Sequence, residues 1–343
     1  MTAKVLHLSD LDAFIKKLLK SHVLVGPTKK AGVTLYAPVS GALELDLEET
    51  NCLRGPKRFF FPQSEVLVEF EGQMDSALPV GDLENPEPTV LFAVRPCDAR
   101  SFGILDRLFI NEDYVDDYYK AKREATTVFC LSCSQPRPTC FCTSIGGGPF
   151  DTSDCDVSMT LIGEDLLLEP LSGKGEKLVE DLGDAPPSML EEKEKERKRA
   201  EESMAVKIDI QGLPDKLKGM FDHEVWKIIT EKCIGCGVCT YLCPTCHCFD
   251  IQDEATDNGG RRVRNWDSCM FPIFTFHGSG HQPRTRKHQR MRQRIMHKFN
   301  YYVENFGVIA CVGCGRCITE CPTNEDLRDN LKKLMDLELA PVG

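Results

Sequence analysis

Two segments of the chain repeat one arrangement of thiols. The first reads CIGCGVCTYLCP and sets Cys233, Cys236, Cys239 and Cys243 ahead of Pro244. The second reads CVGCGRCITECP and sets Cys311, Cys314, Cys317 and Cys321 ahead of Pro322. Both are C-x2-C-x2-C-x3-C-P, the spacing at which three thiolates wrap one corner of a [4Fe–4S] cubane while the fourth reaches the other cluster of a pair. The spacing therefore predicts one cluster on Cys233, Cys236, Cys239 and Cys321, and a second on Cys311, Cys314, Cys317 and Cys243. Gly235, Gly237, Gly313 and Gly315 suit a loop pressed against inorganic sulfide, where a Cβ has little room. A zinc site takes four ligands in two separated pairs and leaves the third cysteine of each run without a use. Disulfides would need an oxidising compartment.

Ten further cysteines lie outside these runs. RPCD places Cys97 just past an apolar run, and CLSCSQPRPTCFC places Cys130, Cys133, Cys140 and Cys142 at and beyond the end of another. If both runs are adjacent parallel strands, these thiols gather on the sheet edge where open α/β folds bind ligands. Cys97, Cys133, Cys140 and Cys142 are then the expected ligands of a third [4Fe–4S] cluster. Structural zinc or redox-active thiols are the alternatives for the same residues. Cys130 falls within the strand run and reads as a buried side chain. Cys246, Cys248 and Cys269 form a runner-up metal group that lacks a fourth ligand unless His247, Asp250 or a first-domain cysteine joins. Cys52 and Cys155 read as ordinary small residues.

Several elements must position these thiols. SDLDAFIKKLLK predicts an amphipathic helix with Ser9 as N-cap and Leu11, Phe14, Ile15, Leu18 and Leu19 on one face. TVLFAVR and TTVFCLS predict buried strands flanking a helix over ARSFGILDRLF, which makes a parallel pair with a crossover. VTLYAPV and SEVLVEF are candidate further strands of the same domain. MLEEKEKERKRAEESM predicts a solvated helix with Glu191–Lys195 and Glu194–Lys198 pairs. The expected organisation is an α/β domain over residues 1–182, a charged helical connector over 183–219 and a mainly α-helical two-cluster ferredoxin domain over 220–343. At 343 residues the chain is long enough for two cores.

The formal net charge of −11, to which anionic clusters add, disfavours a nucleic-acid partner. No apolar run is long enough to span a membrane and the N-terminus has no signal-peptide pattern, so a reducing cytoplasm is expected. Seven Lys and Arg lie between Arg284 and Lys298. Without interleaved aromatic residues they read as contact with an acidic partner or as positive charge beside the clusters, which raises a cluster's potential. His247, His277, His281, His288 and His297 read as packing or surface residues. GGGP over 146–149 is no dinucleotide loop. No Ser–His–Asp, HExxH, P-loop or adjacent Cys–Cys pattern occurs.

The order RPCDARS, PRPTCFCTSIGGGP, CIGCGVCTYLCPTCHCFD, WDSCMF, HGSGHQPRTRKHQRMRQRIMHKF and CVGCGRCITECP resembles the iron–sulfur beta subunit of cytoplasmic sulfhydrogenases, the NAD(P)-linked nickel–iron hydrogenases. It is similar also to the iron–sulfur subunit of anaerobic sulfite reductase. The likeness spans roughly residues 88–325. Cys130, Cys155 and the charged helix near Glu191 depart from the family pattern. The resemblance implies a hetero-oligomeric electron-transfer subunit without a catalytic site of its own. On one side it would meet a flavin- and NAD(P)-binding reductase subunit. On the other it would meet a separate catalytic oxidoreductase subunit of hydrogenase, sulfite reductase or heterodisulfide reductase type. Two other readings stay open. The chain could itself be a reductase using a first-domain cluster with an open coordination position. Alternatively, the first domain could hold zinc or no metal and serve for docking.

Overall fold

A computed structural model describes residues 2–72, 77–204 and 206–338. The last five residues of the expected ferredoxin domain and Ala205 of the expected connector lie outside the described residues. Two compact units divide the chain. The first takes the chain up to Phe61 and again from Gly81 to Val206. The second takes Pro62–Val80 and the chain from Lys207 onward.

The first unit opens with β1 (Lys4–His7) and α1 (Leu11–Leu18), followed by β2 (Val23–Lys30) and β3 (Val33–Pro38). The chain then supplies β4 (Ser64–Glu71) and β5 (Leu78–Pro79) to the second unit. It returns for β6 (Thr89–Val94), α2 (Pro96–Phe109), α3 (Asp117–Glu124) and β7 (Thr126–Leu131). β8 (Val157–Ile162), β9 (Asp165–Pro170), α4 (Gly173–Val179), β10 (Gly183–Asp184) and α5 (Pro187–Ser203) complete the unit. Its eight-stranded sheet runs β10-β1-β9-β8-β7-β6-β2-β3. The central β2, β6, β7 and β8 are parallel, as expected for β6 and β7.

Burial on both faces explains the unbroken apolar runs of β6 and β7. Phe92, Phe129 and Leu131 join Phe14, Ile15 and Leu18 of α1 in one core. The alternating residues Leu91, Val128 and Cys130 point to the other face. Ser9 does not cap α1. It lies in a preceding turn, where its N–H donates to Nδ1 of His7 at 3.2 Å. Leu11, Phe14, Ile15 and Leu18 are buried as the helical pattern requires.

SEVLVEF does form a strand, β4, but in the other unit's sheet. The charged helix α5 buries Met189 and Ala200 and pairs Lys193 with Glu169 of β9, so it packs against the first unit. Its Glu194–Lys198 pair forms at 3.7 Å, whereas Lys195 bonds Glu192 rather than Glu191.

The second unit contains α6 (Leu213–Lys218), α7 (Val225–Ile228) and α8 (Val238–Tyr241), then the hairpin β11 (Phe249–Thr256) and β12 (Gly259–Trp266). The long α9 (Lys287–Met296) runs through a π turn (His297–Tyr301) into α10 (Tyr302–Phe306), and α11 (Arg316–Thr319) and α12 (Leu327–Asp336) follow. An antiparallel sheet, β11-β12-β4-β5, accompanies these helices. The ion pair of Glu65 on β4 with Arg264 on β12, at 2.6 Å, is almost wholly buried. The sheet corrects the picture of a unit built of helices, because two of its strands come from a segment far from the cysteine runs.

Candidate metal centres

Each cysteine run makes the same turn. Gly235, Gly237, Gly313 and Gly315 all have φ between 64° and 78°, the left-handed region that an L side chain resists. Gly237 and Gly315 then act as N-caps of α8 and α11. The glycine requirement is thus one of backbone conformation more than of room. At Gly235 the nearest atom to an added Cβ is 3.9 Å away, although at Gly237 the Phe271 ring would meet it at 2.6 Å.

Cys233, Cys236, Cys239 and Cys321 line one cavity of about 400 Å3, counting its open mouth, and Cys317 lines it too. Three of these thiols come from the first run and two from the second. Among the described residues no three His, Cys, Asp or Glu side chains converge on one point as ligands of a single ion do. The thiols stand around a space instead, as a four-iron body requires. The N–H of Gly235 donates to Cys233 Sγ at 3.4 Å, and the N–H of Glu325 to Cys321 Sγ at 3.2 Å. Burial pushes the Cys321 thiol up, but hydrogen bonds from Thr323 and Glu325 outweigh this and hold it below its ordinary value.

Cys311, Cys314, Cys317 and Cys243 form a second neighbourhood. Burial pushes Cys311 up to about 11 and Cys317 up to about 12, and Cys243 is among the charges that both face. The terminal ammonium of Lys298 donates to Cys243 Sγ at 3.2 Å, Thr245 Oγ1 at 3.1 Å and Ala310 O at 3.0 Å.

Arg294 decides whether these thiols fit anionic clusters. Its side chain is 4% exposed and its Nε has no hydrogen-bond partner. Burial works against the guanidinium charge, yet Cys239, Cys317, Cys246 and Cys243 together hold its pKa above the ordinary value. A buried cation needs a counter-charge, and thiolates of both runs, with Cys246, would supply it. The residues present therefore fit iron–sulfur clusters.

The first unit gathers its own thiols at the carboxyl ends of β6 and β7. β6 carries an irregularity between Leu91 and Val94, with Ala93 at φ 55°, and Pro96 then starts α2 with Cys97 in its first turn. Buried Arg95 donates to Ser132 O at 3.0 Å and to Glu49 O and Leu47 O at 2.7 and 2.8 Å. Burial pushes Cys133 up to about 11 against the pull of Arg95, and Cys140 is among its charged neighbours. Burial, with Cys140 and Cys133 nearby, pushes Cys142 up to about 12. Cys97 and Cys133 both face Cys130.

The 4Fe-4S dicluster domain family matches residues 232–325. Over 323 residues the chain is 31% identical to sulfhydrogenase 2 subunit beta of Pyrococcus furiosus, covering 92% of this chain and 93% of that protein. The chain belongs to the sulfhydrogenase beta-subunit family. No solved structure matches it. As a member of this family it is an iron–sulfur electron-transfer subunit that carries [4Fe–4S] clusters. None of its described helices is long and apolar enough to cross a membrane.

Other features of this beta subunit differ in how visible they are in sequence. A hydrogen bond with Cys248 and burial hold the Cys269 thiol well above its ordinary pKa, with Cys246 close by. His247 and His297 pack edge to face at 5.2 Å, as do His277 and His281. The basic run shows only that cations are near; that Arg290, Arg294 and Lys298 are the buried ones follows from the packing of α9 and its π turn. Arg95 gave no signal beyond its place beside Cys97. The Cys-Pro-Thr that ends both runs is a readable one, since Thr245 and Thr323 lie 3.2 and 3.5 Å from Cys243 and Cys321.

Proposed function

We propose that this chain relays single electrons between two partners in a cytoplasmic hetero-oligomer, a flavin- and NAD(P)-binding subunit on one side and a separate catalytic subunit on the other. The ligands we assign are Cys233, Cys236, Cys239 and Cys321 for one cluster, and Cys311, Cys314, Cys317 and Cys243 for the next. Cys97, Cys133, Cys140 and Cys142 would hold a third in the first unit. We read the part around the two runs, apart from its sheet, as a mainly helical two-cluster ferredoxin module. Bound clusters supply one-electron transfer at potentials set by charge, hydrogen bonds and exposure. The chain's side chains do the rest. Exposed Cys236 opens one site to a docked partner. Lys298 stabilises negative charge at Cys243 and so favours the reduced state of the cluster that this thiol would hold.

The observation that carries this reading is buried Arg294, whose charge is favoured by Cys239 and Cys243 of one run, Cys317 of the other and neighbouring Cys246. Substituting Cys321→Ser in the anaerobically purified protein tests the crossed ligation. The expected result is a changed EPR signal for the cluster held by Cys233, Cys236 and Cys239, with the other unaltered. A change confined to the cluster of Cys311, Cys314 and Cys317 would overturn the assignment.

A further inference from the structure

Between Ser268 and Val303 the chain carries seven Lys and Arg and no Asp or Glu, although its net charge is −11. The fold divides these cations. Arg290, Arg294 and Lys298, spaced by four along α9 and its π turn, are buried. Arg286 and Lys287, where the same helix starts, are exposed, as is Lys232 beside Cys233. Among the described residues none of these three exposed cations pairs with a carboxylate. Of the acids in the segment before the first run, Glu224 is held by Lys227 at 2.6 Å and Asp222 by Arg292 at 3.3 Å, which leaves Glu231. Glu325, on the cavity wall, accepts from Asn330 at 2.8 Å.

The exposed cations stand beside an apolar face. Ile234 lines the cavity of the first cysteine run and is 62% exposed, next to exposed Cys236. Lys287 Nζ donates to Cys233 O at 2.7 Å, which fixes the start of α9 to the same loop. On its other side the loop meets the Phe271 ring at Gly237. The short turn that follows Phe271 (Pro272–Thr275) leaves Ile273 75% exposed and Phe276 58% exposed. This turn is held in place. Arg290 donates to Met270 O, Arg284 O and Thr285 O, each at 3.0 Å, and Thr275 Oγ1 donates to Gln282 Oε1 at 2.7 Å. Large apolar side chains held in water and rimmed by charge mark an interaction surface.

We propose that this face docks a small, mobile, acidic one-electron carrier protein, in addition to the fixed subunits of the complex. The purpose of the contact rests on the relay reading. Ile234, Ile273 and Phe276 form its centre, and carboxylates of the carrier meet Lys232, Arg286 and Lys287 around it. One electron then crosses between the carrier and the cluster of Cys233, Cys236, Cys239 and Cys321, with no bond made or broken and no proton moved. A chain of net charge −11 repels an acidic carrier over the rest of its surface, so the cationic face also orients the encounter. A mobile carrier fits better than a fixed subunit, because the cores of permanent interfaces are depleted of charge and burying unpaired cations there is costly. Redox encounters are small and lean on charge for steering. A protein fits better than a phosphate backbone, because the apolar centre offers phosphate nothing to bond.

The test uses the intact, cluster-loaded hetero-oligomer, purified anaerobically, with a purified acidic two-cluster ferredoxin as the probe. Calorimetry gives the affinity, and stopped-flow mixing of the reduced complex with the oxidised probe gives the rate of electron transfer. Both should fall at least about tenfold between about 25 mM and 250 mM salt, as screening removes the attraction. Arg286→Glu and, separately, Ile273→Asp should each weaken binding at least about tenfold at low salt. Iron content and the EPR signals of the dithionite-reduced clusters should stay as in the unaltered protein, which shows that both variants are folded and loaded. Unchanged affinity in both variants, or affinity indifferent to salt, would overturn the docking face. So would an intact complex that does not bind the probe, because a fixed subunit then covers the face. In either case clusters still reduced by dithionite would leave the relay reading standing. Binding that weakens in the variants but passes no electron would uphold the docking face and remove the relay reading.

Discussion

Lys298 and Arg294 show how individual side chains set the electrostatics of the two cysteine runs. Burial works against both charges, and the neighbouring thiols more than restore them. Lys298 touches Cys243, whereas the equivalent thiol of the other run, Cys321, accepts from the backbone N–H of Glu325. Removing the cation with Lys298→Met should lower the midpoint potential of the cluster holding Cys243 by on the order of 60 mV, a tenfold change for one electron. The other cluster should shift less. EPR-monitored redox titration measures both.

His297 gives a residue-level pH dependence. Burial, with Lys298 and Arg284 nearby, pushes its pKa from 6.5 down to about 4. Between these values the unfolded chain takes a proton that the folded chain refuses. The stability contributed by the neutral ring is complete above pH 6.5 and is lost as pH falls toward 4, by at most about 3 kcal/mol. The urea midpoint should therefore drop between about pH 7 and pH 5, and His297→Phe should make that drop smaller. Equal drops in both proteins would contradict the assignment.

At the scale of elements, local chemistry was legible where it is periodic or motif-bound. The parallel β6 and β7, the crossover α2 and the buried face of α1 all follow from apolar spacing that the structure repeats. Ser9 failed as a cap because it lies inside the preceding turn with its Oγ 2.7 Å from His7 Nδ1, a competition no pattern of residue types displays. The glycines were legible as special positions, but their cause is positive φ. Gly237→Ala combines that strain, about 1–2 kcal/mol, with contact against Phe271. It should reduce iron bound per chain, whereas Gly278→Ala, at a glycine with open space around it and no positive φ, should not. The π turn after α9 was not legible at all. Such turns are short, often lie at functional sites, and this one carries buried Lys298.

The strands β4 and β5 belong to a unit whose other residues begin more than a hundred positions later. Long-range pairing of this kind is invisible to local periodicity, which correctly makes SEVLVEF a strand but cannot say of which sheet. The buried Glu65–Arg264 pair ties the excursion down. Removing one partner leaves a buried charge alone, so Glu65→Ala should destabilise the second unit by about 3–5 kcal/mol. A urea transition unchanged within a fraction of that would show that the pair contributes little.

At the scale of the whole molecule, two cluster-binding runs and a third group of thiols were readable, because cysteine spacing states its chemistry directly. The buried cations and the route of the chain through both units were not, because these depend on packing. What unites the molecule is the distribution of thiols. Two groups lie in the second unit and one at the sheet edge of the first, and each has a buried cation facing it: Arg294, Lys298 and Arg95. A relay through both units requires iron in all three groups. Iron and acid-labile sulfide per chain, measured on anaerobically purified protein alongside EPR of the dithionite-reduced sample, test this most directly. The account predicts about twelve of each, three four-iron clusters, with interacting cubane signals. About eight of each, with zinc or free thiols at Cys97, Cys133, Cys140 and Cys142, would contradict it.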